Sequence, residues 1–274
     1  MRIQAIDLAI SGFRAVLRCG GTLALLCSIT AMTDDVPRDA KDSPERQAFL
    51  AGASKDCPGC DLRGVSLKRR DLSGADLTGA DLTDAVLHAA RLTKAKLGHA
   101  MLQGANLDKA DMRRAELAGA DLSDALLYAA DLSGARLDGA VMTRVHMGHS
   151  RLTRTDMRTV DLSQANALDA ELADCNLTHA KLSQANFNGA NLSRCDLSEV
   201  VVDGARFVDA RFRNAKLRPV SARQADFFKA DLSGADLTDG DFRASRLEGA
   251  NLDGAVTTGM KTKGALLVDG TMGQ

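Results

Sequence analysis

Ala75-Asp76-Leu77-Thr78-Gly79-Ala80-Asp81-Leu82-Thr83-Asp84 states one five-residue pattern twice: small, polar, Leu, then two variable residues. The same register runs outward without a single insertion. Of the 42 centre positions from Leu62 to Leu267, 38 are Leu, Phe, Met or Val, and the exceptions are Ala167, Ala222, Thr257 and Thr262. Two residues before the centre, 28 of the 42 positions are Ala, so each repeat carries one large and one small apolar group. A period of five fits neither the 3.6 of an α-helix nor the 2.0 of a flat strand. It fits a chain that turns a corner every five residues, with the centre and the small residue facing in and the other three facing water. Four such sides make a coil of about 20 residues, and coils stacked about 4.8 Å apart make a rod of about ten coils, roughly 50 Å long.

Composition agrees with a narrow interior. The 274 residues include no Trp, one Tyr and eight Phe, while the 45% of hydrophobic residues are mostly Ala and Leu. Interiors pack at crystal-like density, so a second large side chain per side has no room beside the Leu. The motif A-(D/N)-L-x-x resembles that of the pentapeptide-repeat family over about three quarters of the chain. That resemblance implies an all-β, right-handed quadrilateral parallel β-helix. It also brings in a role known for some members, mimicry of duplex DNA to protect DNA gyrase from quinolones.

Outside the repeats, residues 1–32 read as a signal-peptide-like leader, with Arg14 and Arg18 ahead of the apolar run Leu23 to Met32 and then Asp34 and Asp35. Residues 33–56 read as a linker and a short N-terminal capping helix, in which Ser43 is the N-cap, Pro44 opens the first turn and Gly52 is the stop. Residues 57–268 form the β-helix and 269–274 a C-terminal tail. The pattern decays after Ala255, and the apolar stretch Gly264 to Val268 is expected to close the last coil or to pair with a second copy as a homodimer. No transmembrane anchor is expected beyond the leader. The leader points to export, to periplasm or outside the cell; without signal function the chain is cytoplasmic.

Cysteines stand at 19, 27, 57, 60, 175 and 195. Cys57 and Cys60 both fall at inward positions of the first coil. They form a structural disulfide if the protein is exported and two buried thiols if it is cytosolic; zinc lacks a second ligand pair, and thioredoxin-like chemistry needs a different fold. The Cys57-Pro58-Gly59-Cys60-Asp61-Leu62 start is similar to that of many exported-looking family members. Cys175 and Cys195, twenty apart at small inward positions, are expected as buried thiols acting as small hydrophobes, with a disulfide between stacked neighbours as the alternative within reach. Phe187, Phe207 and Phe227, also twenty apart, are expected to stack inside.

No catalytic constellation, metal site or cofactor site emerges. All five histidines fall at outward positions without ligand spacing, and Gly recurs at corners rather than in a phosphate loop. The 35 basic and 36 acidic residues give a net charge of −1. Such balance argues against nucleic acid as a partner and against the strongly acidic rod that mimicry needs. Two stretches break it. Arg144, His146, Arg151, Arg154 and Arg158 form one, and Arg206, Arg211, Arg213 and their neighbours the other; both are candidates for anion or partner contact. Val86, Leu126, Tyr128, Val208 and Phe228 fall on one side, and Leu126, Tyr128 and Phe228 are candidates for an apolar docking face. The leading expectation is a non-catalytic scaffold, exported, that presents flat sides to an unidentified protein or other macromolecule. A gyrase protector and a secreted effector acting in a host are the alternatives.

Overall fold

A computed structural model of the chain describes residues 43–274; the leader and the first ten residues of the linker lie outside them. From residue 61 to 266 the chain pairs with itself twenty residues on, in parallel, once per pentad: Asp61 with Asp81, Ser66 with Val86, Asp71 with Arg91, Asp76 with Lys96, and so on to Arg246 with Leu266. Four pentads therefore make one coil. The first side carries centres Leu62, Leu82 and Leu102, the second Leu67, Leu87 and Leu107, the third Leu72, Leu92 and Met112, and the fourth Leu77, Leu97 and Leu117. These centres are essentially fully buried, and so are the small residues before them apart from the half-buried Val65.

Backbone bookkeeping in one pentad explains the motif. Leu77 N–H donates to the Lys96 carbonyl at 2.8 Å, and Lys96 N–H returns to Ala75 at 2.9 Å. At the corner, Gly79 N–H reaches the Gly98 carbonyl of the next coil at 2.9 Å, while Ala80 N–H closes a turn onto Leu77 at 3.0 Å. One N–H per pentad remains, that of the residue after the centre. Asp76 Oδ1 accepts it from Thr78 at 3.1 Å, and the same bond recurs at Asp81, Asp131, Asn166 and Asp236. The Asp or Asn of the motif is thus a turn-former that satisfies an orphan donor. Where it is missing, the residue one coil earlier can substitute: Tyr128 N–H goes to Asp108 at 2.8 Å and Val208 N–H to Asn188 at 3.0 Å.

Corners take the left-handed conformation whether or not they are glycine. Gly74 has φ 69°, but Lys94, Arg114 and Arg154 adopt 58°, 57° and 58° at the same place on later coils. Pro219, which cannot take a positive φ, occupies one corner behind a cis peptide bond.

Aromatic stacking inside the rod is as the spacing predicts. Phe207 lies between Phe187 and Phe227, with ring centroids 5.6 and 5.0 Å apart and interplanar angles of 25° and 17°. Phe212 on the third side meets Phe207 edge-on at 5.1 Å. Small residues make the room. At Gly240 a Cβ would lie 2.6 Å from Phe242 Cε2. Three polar residues at small inward positions satisfy their hydroxyls on the carbonyl three residues back: Ser150, Thr155 and Ser245, at 2.6 to 2.7 Å.

Helix α1 (Pro44–Ala51) begins on Ser43, whose hydroxyl accepts from Arg46 N–H at 3.1 Å, and ends on Gly52 in the left-handed region. Its Phe49 is fully buried in the same core as Cys57 and Leu62. Arg70, at an inward position that most pentads fill with Ala, turns back to stack on Phe49 at 4.3 Å and to donate to its carbonyl. At the other end Leu266 pairs antiparallel with Met272, and Gly273 N–H donates to Ala265 at 2.8 Å.

The structure joins Cys57 to Cys60, Cα atoms 5.4 Å apart. For Cys175 and Cys195 it corrects the leading expectation of separate thiols in favour of the alternative, a cross-coil disulfide, Cα–Cα 4.7 Å. Inward positions twenty residues apart sit one coil apart, which is within disulfide reach.

Phe207→Ala removes the middle ring of the stack and is expected to cost about 3–5 kcal/mol in urea unfolding, with Gly240→Ala also destabilising through its clash with Phe242. A non-reduced, alkylated digest is expected to contain Cys57–Cys60 and Cys175–Cys195 linked peptides. The turn-forming carboxylates predict acid sensitivity. Asp71 is lowered to about 2, first by the Ser73 side chain and backbone N–H and then by Arg91 and Lys55, and Asp76 and Asp236 are lowered chiefly by Thr78 and Thr238. Carboxyls depressed in the folded chain take up protons more readily when unfolded, so their stabilisation is complete above about pH 4 and declines toward pH 2. Thermal melts between pH 7 and pH 2 should show this fall, with little change between pH 7 and pH 5.

Candidate functional site: the outer sides of the rod

Because the interior is filled, the accessible chemistry lies on the four sides and at the two ends. The first basic stretch occupies less than one full coil, and the coil disperses it. Arg144 is on the first side, His146 on the second, Arg151 and Arg154 on the third, and Arg158 on the fourth. Arg144 is chelated by Asp124 at 2.6 and 2.7 Å, and Arg158 by Asp156 at 2.8 Å. The second stretch is dispersed and neutralised in the same way. Arg211 meets Glu171 at 3.4 Å, Arg213 meets Asp231, Lys216 meets Asp196 at 3.3 Å, and Arg218 and Arg223 meet Asp236 and Asp241, each at 2.7 Å. Arg206 stands on the second side without an ion pair among the described residues. Pairing along columns of opposite charge holds the carboxyls down: Arg144 depresses Asp124, and Arg194 depresses Asp174.

What the sequence clusters miss, the columns reveal. On the third side Lys94, Arg114, Gly134 and Arg154 follow one another up the rod at the corner position. Together with Thr93, Arg113, Ser133 and Thr153 they line a shallow cleft of about 650 Å³ that contains no acidic residue. Reading the sequence in a register of twenty would have found it; scanning for local charge excess does not.

The apolar candidates are on the second side, but not as one patch. Leu126 and Tyr128 are exposed, and Leu168 joins them across Gly148, with the Tyr128 ring edge-on to His149 at 5.4 Å. Phe228 is apart, half-buried and covered by Arg246 at 3.9 Å and Lys229 at 5.0 Å. Val86 and Val208 are half-buried. At the C-terminal end a cavity of about 540 Å³ is lined by Leu247, Leu252, Thr257, Met260, Thr262 and Leu267 among others. There the Thr centres at 257 and 262 fail to fill the lumen. Among the described residues no group of three or more His, Cys, Asp or Glu is placed to hold a metal ion, and no helix is long and apolar enough to cross a membrane.

Comparison with known proteins matches this geometry. A family model of pentapeptide repeats in eight copies matches residues 60–98, 90–127 and 120–158, and one of a pentapeptide repeat region matches 170–256. The chain belongs to the pentapeptide repeat family, whose members form right-handed quadrilateral β-helices. Among solved structures it is similar to HetL, a pentapeptide repeat protein involved in heterocyst differentiation regulation from the cyanobacterium Nostoc sp. strain PCC 7120. Identity is 28% over 82% of this chain and 97% of that one, with a TM-score of 0.51. A trypsin-treated form of QnrB1, a plasmid-mediated fluoroquinolone resistance protein, shares the fold at 19% identity over 70% of this chain and 86% of that one, TM-score 0.51. No curated protein matches the chain.

Proposed function

We propose that this chain is a non-catalytic scaffold, exported from the cytoplasm, that presents the outer sides of a rod of about ten coils to a macromolecular partner. The filled lumen carries this reading: centre after centre from Leu62 to Leu247 is buried, so over that length the interior offers no substrate pocket. The site of work is therefore on the sides, as in other solenoids. Helix α1 serves as a cap, covering the unpaired backbone of the first coil and blocking edge-to-edge growth. Export is supported by the basic-then-apolar order of residues 1–32 and by the two disulfides, which persist in oxidising compartments. The C-terminal cavity would also suit a second copy. Likeness in fold to a fluoroquinolone resistance protein raises the gyrase reading, but the net charge of −1 and the cationic third side weigh against mimicry of DNA.

Fractionation with N-terminal sequencing is expected to recover a shortened chain outside the cytoplasm; an intact leader in the cytosol overturns export. A photo-crosslinking residue at Tyr128 or Arg154 is expected to capture a partner in living cells. Adducts confined to positions near Met260 would assign the work to the end of the rod instead.

A further inference from the structure

We propose that the third side binds a linear chain of phosphate groups, laid along the rod axis between Lys94 and Arg154. This inference rests on the outer sides being where the protein works, and it adds the chemistry of one ligand. The cleft places Lys94, Arg114 and Arg154 in one column, on the first, second and fourth of four successive coils, with Arg113 beside them. At a coil spacing of about 4.8 Å these cations extend over roughly 14 Å.

Alignment as well as availability sets them apart: Arg151 and Arg206 are also without an ion pair among the described residues, but only in this cleft do such cations line up in one column. Arg113 is held by Asp111 at 2.6 and 2.8 Å. By contrast, Lys94, Arg114 and Arg154 make no ion pair or side-chain hydrogen bond among the described residues; Arg154 helps to hold down Asp174, which is itself chelated by Arg194. Asp174 and Arg194 continue the column as a closed pair, so the cationic strip ends there. In the middle, Gly134 leaves the floor bare, and Arg114 Cγ would lie 3.5 Å from a Cβ at that corner. Arg114 thus leans over the cleft rather than away from it.

The lining adds neutral donors. Ser133 and Thr153 offer hydroxyls with no partner among the described residues. The pentads of Thr93 and Thr153 carry Arg91 and Arg151 where the turn-forming Asp or Asn usually stands, so the Thr93 and Thr153 backbone N–H groups lack the carboxylate that caps Ser133. Guanidinium forks, hydroxyls and outward N–H groups are the donor set that recognises phosphate oxygens. Single phosphates would use one rung only; a chain engages several and releases the counterions of each. No aromatic residue lines the cleft, so a nucleic acid would find phosphate contacts but nothing on which to stack its bases.

The test uses the purified full chain and inorganic polyphosphate in a titration at two salt concentrations, with orthophosphate, single-stranded DNA and heparin as separate arms. Polyphosphate is expected to bind saturably, more weakly at higher salt, and orthophosphate at least about tenfold more weakly than the chain. A Lys94→Gly, Arg114→Gly, Arg154→Gly variant keeps the left-handed corners unstrained, because glycine already holds this corner at 74 and 134. It is expected to melt like the parent and to lose at least about tenfold in affinity, two broken charge-assisted contacts being enough. An Arg211→Ala, Arg213→Ala control on the same side is expected to change affinity less than about twofold. Undetectable polyphosphate binding, an unchanged affinity in the triple variant, or tighter binding of DNA or heparin each overturns the proposal. Loss of this binding would leave the outer-side scaffold standing, since that reading fails only when partner adducts map to the end of the rod.

Discussion

Everything in this rod depends on the coil-to-coil ladder and the lumen it encloses being filled at the same time. The ladder needs every outward residue to meet its neighbour twenty positions on, which forbids insertions. The lumen has a fixed cross-section, which admits one large and one small side chain per side. Neither constraint leaves freedom inside, and the consequence is that variation is expelled to the surface. Where the interior does change, it changes in compensating volumes, as with the Phe187, Phe207 and Phe227 stack and Gly240 beside Phe242.

A second constraint is less visible and equally general. Each pentad leaves one N–H outside both the ladder and the turn, and the motif's Asp or Asn accepts it. The motif's acidic residues are thus bound to backbone chemistry before they are available to a partner. Elsewhere on the surface carboxylates are offset by arginines one coil away, as at Asp124 with Arg144 and Asp174 with Arg194. The near-zero net charge is laid out as such pairs. A basic residue becomes functionally interesting only where the pairing lapses, and the third side between Lys94 and Arg154 is such a place.

Most of the fold was legible because the period of five is a direct statement about which residues face inward. The rows of Leu and the aromatic stack needed nothing more, while the boundaries of α1 were written in its capping residues Ser43, Pro44 and Gly52. Charge clusters were misleading for the same geometrical reason. Arg144 and Arg158 are near in sequence, yet fourteen residues carry the chain around most of a coil, from the first side to the fourth. Neighbours in space here are twenty residues apart, a distance at which composition windows see nothing.

The amino-acid sequence alone determined the inward and outward partition and the absence of any familiar catalytic motif, since these follow from periodicity and residue type, and its resemblance to the pentapeptide-repeat family implied the four-sided coil. Only the tertiary structure decided which ionic groups are spent on one another, that the stacked Cys175 and Cys195 are bonded rather than free, and that Lys94, Arg114 and Arg154 stay unpaired in their cleft. The reason is that side-chain reach, not backbone register, settles those outcomes. An arginine at a corner can extend to the coil before it or the coil after it, or remain free over a glycine, and the repeat pattern is the same in all three cases.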